Sequence, residues 1–173
     1  MDKMGEMIEL ERDDAEVVTA YHEAGHALLA VLQRGYLLEV TLDPEVDRDD
    51  LFEAKTTVRW PAAMAGSQRV QAELLVLLAG PASEMIYRGE PLHPGFVPQW
   101  ADDWQNAWQL AKSIYADQHR RLRELERMTA MMRKVLYHDQ NWAAVAAIAD
   151  QLLAHRTLDQ AMVVDAVSVW VEL

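Results

Sequence analysis

Apolar positions recur at helical spacing over residues 14–34, where Val17, Val18, Tyr21, Leu28, Leu29 and Leu32 give one long helix a side to bury. Asp13 or Asp14 suits its N-cap, Asp14 and Glu16 its positive end, and Gly35 its closing position. The period then changes to two. Leu38, Val40 and Leu42 alternate with Glu39 and Thr41, an acidic turn follows over Asp43–Asp50, and Lys55–Trp60 reads as a second strand ended by Pro61. These two strands predict a hairpin. Helical spacing returns over 67–89 with Val70, Leu74, Leu77, Leu78, Met85 and Ile86, and Pro81 predicts a kink near Gly80. A loop rich in Pro and Gly runs from Glu90 to Gln99. Further helices are predicted at 101–120, 122–137, 140–154 and 158–171, the last with Thr157 and Gln160 as a capping box. Residues 1–12 show no clear period and read as an acidic N-terminal arm. The expected fold class is mainly α, with a small β-hairpin or sheet beside the first helix.

Composition narrows the function. The 173 residues suffice for a real core, and the net charge of -12, from 16 basic and 28 acidic side chains, argues against nucleic acid as a partner. The chain has no cysteine, which excludes disulfides and thiolate metal sites. No stretch approaches the ~20 apolar residues of a membrane span, and the N-terminus has no apolar signal core. The expectation is a soluble, cytoplasmic protein.

The candidate chemistry lies at the centre of the first helix, in Thr19-Ala-Tyr-His-Glu-Ala-Gly-His-Ala-Leu-Leu29. His22 and His26 are four apart and share a helix face, the spacing with which two imidazoles grip one metal ion. Glu23 points aside, placed to act on a metal-bound water rather than to ligate. A zinc ion lowers the pKa of such a water to about 7, and an adjacent carboxylate can accept its proton during attack on a peptide carbonyl. The pattern that continues with Gly and His three and six residues beyond the second histidine is excluded, because Leu29 and Leu32 stand there. The third ligand must come from elsewhere.

The stretch TAYHEAGHALLA resembles the zinc helix of the FtsH-type ATP-dependent metalloproteases. Leu78-Ala-Gly-Pro-Ala-Ser-Glu-Met85 is similar to that family's Gly-Gly-Arg-Ala-Ala-Glu-Glu stretch, with Glu84 on its first glutamate and Pro81 as a departure. Leu152-Leu153-Ala154-His155-Arg156-Thr157-Leu158 is similar to its Leu-Leu-x-x-x-Thr-Leu element, so the likeness runs from about residue 17 to 167. It implies a zincin-like fold, with a zinc-peptidase core over 13–120 and a C-terminal helical part of the same domain over 121–173. It also implies Zn2+ as cofactor and polypeptide as substrate, a hexameric homo-oligomer, and a small sheet whose edge near Thr56–Trp60 holds the peptide or simply covers the core. No Walker-type loop is present, so the expectation is the protease domain alone, without ATPase module or transmembrane helices and served by a separate ATPase or by none. The rival class is a metal-binding or assembly domain that has lost turnover.

The resemblance makes Asp103 the third ligand. Helical geometry favours the same residue, since the positions following it on its face are Ala107, Leu110, Ala111 and Ile114, whereas Asp102 is followed by Gln105, Asn106, Gln109 and Ser113. The bland use of Asp103 is a helix N-cap. Glu84 is an alternative ligand, a contact that holds a ligand imidazole, or an ion-pair partner of Arg88. His93 is a loop candidate for stabilising a reaction intermediate or for ligation. Trp100, Trp104 and Trp108 form a stripe that lines a substrate pocket or belongs to the core.

Overall fold

Small residues on the first helix let a second one lie against it. In the computed structural model, which describes residues 3–43 and 54–173, α1 spans Lys3–Leu32 and α2 spans Gly66–Arg88. Ala20, Ala24 and Ala27 of α1 are fully buried. At Gly25 the backbones approach so closely that an added Cβ would lie 2.6 Å from both the Ala79 carbonyl oxygen and Ser83 Cβ. Ser83 Oγ donates to the Tyr21 carbonyl at 2.6 Å and ties the pair together.

α1 begins well before its predicted start, running through most of the stretch expected as an arm, so Asp13 and Asp14 are interior to the helix rather than its caps. The sequence there is rich in Glu and Met, which propagate a helix once it is anchored downstream. Its far end also differs from expectation. Arg34, at φ 62, takes the left-handed position, with Arg34 N–H donating to Val31 O and Gly35 N–H to Ala30 O. Gly35 serves close packing instead, since a Cβ there would meet Val58 Cγ1 at 2.7 Å. α2 ends as glycine permits: Gly89, at φ 72, closes it, and Glu90 N–H reaches Met85 O. Pro81 lies inside α2, which continues through it as one helix.

The predicted hairpin is present as β1 (Tyr36–Thr41) antiparallel to β2 (Lys55–Arg59). Most of the acidic turn expected at its tip lies outside the described residues. A bulge between Leu37 and Glu39 resets the alternation. Leu37 and Val40 are therefore fully buried while Leu38, expected inside, is 48% exposed. A third strand, β3 (Thr157–Leu158), pairs antiparallel with Thr41 and Val40 and gives the order β2-β1-β3. The expected capping box is replaced. Asp159 Oδ1 caps α6 (Gln160–Ser168) by accepting from Met162 N–H, and Gln160 Oε1 crosses to accept from Leu37 N–H at 2.8 Å.

α3 (Ala101–Ala111) stops sooner than predicted, because Asp117 Oδ1 caps a new helix, α4 (Gln118–Leu136), through Arg120 N–H. Arg121, nearly buried, donates to the carbonyls of Tyr115 and Ala116 across the break. α5 (Asp139–His155) completes the set, and one continuous apolar core takes residues from all six helices and from the sheet. The architecture is thus mainly α with a small antiparallel sheet. No helix among the described residues is long and apolar enough to cross a membrane.

Candidate metal centre

α1 presents His22 and His26 one turn apart, and α3 brings Asp103 to them from the other side of a cleft of about 620 Å³. His22 Nε2 lies 2.9 Å from Asp103 Oδ2 and 3.0 Å from His26 Nε2, and His26 Nε2 lies 3.5 Å from Asp103 Oδ2. Bonds of about 2.1 Å to zinc put tetrahedral ligands about 3.4 Å apart; one separation matches and the other two are shorter, so the three atoms are close enough to share one small cation after a small outward shift. Among the described residues no fourth His, Asp or Glu joins this group.

The other nitrogen of each ring is already used. His26 Nδ1 donates to the Val76 carbonyl at 2.7 Å, and His22 Nδ1 donates to Glu84 Oε2 at 3.2 Å. These bonds hold both Nε2 atoms toward Asp103, so a metal bound there would take the place of the Nε2 protons. Burial opposes charge on His22, but the hydrogen bonds to Asp103 and Glu84 outweigh it and push the ring up to about 10. His26 is raised as well: burial opposes its charge, and the neighbouring Asp103 carboxylate more than offsets that. Burial would raise the Asp103 carboxyl, yet the charge of His26 and the His22 hydrogen bond hold it well below the usual carboxylate range. A cation of higher charge than a proton is suited to the same place, and the two compete for the same nitrogens.

Asp103 is not the cap of α3. The capping position is Trp100, with no side-chain capping bond, and the Asp103 carboxylate turns to the histidines while Asp102 stays exposed. Glu84 backs His22 and is not part of the His22–His26–Asp103 group. Its Oε2 accepts from His22 and, at 2.5 Å, from Trp100 Nε1, and its Oε1 accepts from Arg88 Nε at 2.7 Å. Burial works against this carboxylate's charge, and the bonds from His22, Trp100 and Arg88 lower its pKa in spite of it. Glu84→Gln keeps an acceptor for His22 but removes the charge behind the ring. Zinc affinity, read by competition with a chromophoric chelator, is expected to fall about 10-fold or more.

His93 is not in the group formed by His22, His26 and Asp103; its Nδ1 accepts from Gly95 N–H, its Nε2 lies 3.4 Å from Glu126 Oε1, and its ring packs against Trp104. The tryptophan stripe does not line the cleft. Trp100 is buried on Glu84, Trp104 packs on His93, and Trp108 lies under the Arg121 guanidinium.

Three residues take part in the site in ways that their sequence readings did not foresee. Gly80 faces the imidazoles across the α1–α2 contact: a Cβ there would meet His22 Nε2 at 2.8 Å and lie still closer to His26 Nε2. Thr56 of β2 donates to Glu23 Oε2 at 2.6 Å, and Trp100 donates to Glu84. Each depends on a partner remote in sequence, which local patterning does not reveal. Glu23 itself is nearly buried and lines the same cleft as His22, His26 and Asp103. No protein-family model matches this chain, and a search of curated proteins finds no match to it.

Proposed function

We propose that this chain is a zinc-dependent peptidase with His22, His26 and Asp103 as ligands and Glu23 as general base. The carrying observation is the convergence of those three donor atoms within 4.8 Å of one another, both imidazoles oriented from behind, with a nearly buried carboxylate in the same cleft. Two neutral nitrogens and a carboxylate are the donor set of catalytic zinc sites that keep one position open. Zinc held there would supply a Lewis acid for the scissile carbonyl and a water of pKa about 7. Glu23 accepts the proton of the attacking water and passes it to the leaving amine.

The resemblance to the FtsH-type protease domain supports the same ligands and a polypeptide substrate. Among the described residues β2 is an outer strand of its sheet and its Thr56 side chain bonds Glu23, so an extended peptide added to that strand by main-chain hydrogen bonds would lie near the proposed base. A hexameric assembly, delivery of substrate by a separate ATPase and a cytoplasmic location belong to this proposal on the same grounds.

Elemental analysis after purification without added metal tests the reading, on the wild type and on Asp103→Asn. One zinc per chain is expected in the wild type and loss from most chains in the variant. Unfolded casein is expected to be cleaved without ATP, with cleavage abolished by a chelator and restored by zinc. Zinc bound without any hydrolysis would leave a metal-stabilised assembly domain, and no zinc after reconstitution would sink the enzymatic reading.

A further inference from the structure

We propose that Thr56 is a positioning residue that locks the Glu23 carboxylate, so that the strand expected to hold substrate also sets the general base. The inference rests on the peptidase reading and adds to it a residue outside the HEAGH motif. Thr56 Oγ1 lies 2.6 Å from Glu23 Oε2 and 3.4 Å from the Glu23 carbonyl oxygen. A hydroxyl has one proton to give, and the shorter distance is that of a charge-assisted bond to a carboxylate. The carboxylate takes it.

That bond divides the two oxygens of Glu23. Oε2 is held by Thr56, while Oε1 has no hydrogen-bond partner among the described residues and is the one left to act in the cleft. Glu23 is only 5% exposed, so little water is available to orient it otherwise. Thr56 is itself well fixed. Its backbone is registered opposite Val40 of β1, and its β-branched side chain restricts χ1, so the hydroxyl has few alternative positions. Among the described residues β2 has no neighbouring strand on its outer side. A peptide pairing along that edge would therefore press on the strand that positions the base, and correct seating of substrate and correct aim of Glu23 become one event.

The test compares Thr56→Val, which keeps the shape and removes the donor, with Thr56→Ser, which keeps the donor. For Thr56→Val the expected result is unchanged zinc content and KM, with kcat lowered about 10–100-fold, the usual cost of losing an outer-sphere partner. Thr56→Ser recovers most of that loss, which a purely packing role for the threonine would not produce. Crystal structures of the zinc-loaded wild type and Thr56→Val read the carboxylate directly, and in the variant Glu23 is expected to leave its wild-type rotamer. Should Thr56→Val misfold, Thr56→Ala carries the same comparison. An active wild type with a Thr56→Val variant of equal kcat and unmoved Glu23 overturns the proposal while leaving the peptidase reading in place. An inactive wild type overturns the peptidase reading, and the catalytic role assigned to Thr56 falls with it.

Discussion

Gly80→Ala is expected to abolish metal binding while leaving a folded chain. A Cβ at residue 80 would lie 2.5 Å from His26 Cε1 and 2.8 Å from His22 Nε2, so it occupies the space into which both imidazoles project. Neither ring has an easy retreat. His26 is held by the Val76 carbonyl and His22 by Glu84, and swinging either ring away gives up that bond together with its approach to Asp103. The helix itself gains from the change, since Ala is favoured over Gly in a helix interior by about 1 kcal/mol, against about 1–3 kcal/mol for overpacking. The net effect on stability is therefore at most about 2 kcal/mol, far less than the loss of a site that needs three atoms together. Circular dichroism and thermal melting of the metal-free protein should show a cooperative fold, and elemental analysis no zinc. Gly25→Ala is the contrasting case. There the added Cβ meets the Ala79 carbonyl, which is backbone and cannot rotate away, so the expected loss is in the melting of the metal-free protein as well as in the metal. If Gly80→Ala bound one zinc per chain with wild-type affinity, the ligand set built here would be wrong.

The contrast between these two glycines shows how far the sequence could be read. The His22–His26 spacing is a property of one helix, and it survives in the structure because α1 is continuous through it. Asp103 was reachable for the same reason: the choice between it and Asp102 depends only on which side of a short helix is apolar, and Ala107 and Ala111 are indeed fully buried. Gly80 had no such handle. In sequence it is a glycine before a proline, and only the crossing of α1 and α2 reveals that the imidazoles use the space its missing side chain leaves. Thr56 and Trp100 are similar, since each donates to a carboxylate on a different element.

Backbone detail was lost where two local rules competed. Gly35 satisfied the rule for a helix terminus, but the strand packed against it needed the absent Cβ more, and Arg34 took the left-handed position. The alternation over Leu38–Leu42 was real but interrupted, because one bulge is enough to exchange Leu37 for Leu38 in the core. β3, two residues long, carries too few positions to show any period, and its threonine fits a capping box equally well.

Glu23→Gln is expected to separate metal binding from catalysis more sharply than any other change. Glutamine keeps the shape of the side chain and an oxygen to accept the Thr56 hydroxyl, and it touches none of the three ligand atoms, so zinc content should stay at the wild-type level. What it removes is the capacity to accept a proton. A positioned general base contributes about 10²–10⁴ in rate, and kcat on a flexible peptide should fall by that factor with KM little changed. The cleft offers few substitutes for it. Glu84 already accepts from His22, Trp100 and Arg88, and Asp103 faces the two Nε2 atoms. Among the described residues Asp102 is the remaining carboxylate on the cleft wall, but it is exposed on α3 while Glu23 sits beside His22 on α1. Asp102→Asn should therefore leave the rate unchanged. The reverse result, an active Glu23→Gln and an inactive Asp102→Asn, would move the base across the cleft to α3. It would also remove the reason for Thr56 to hold Glu23.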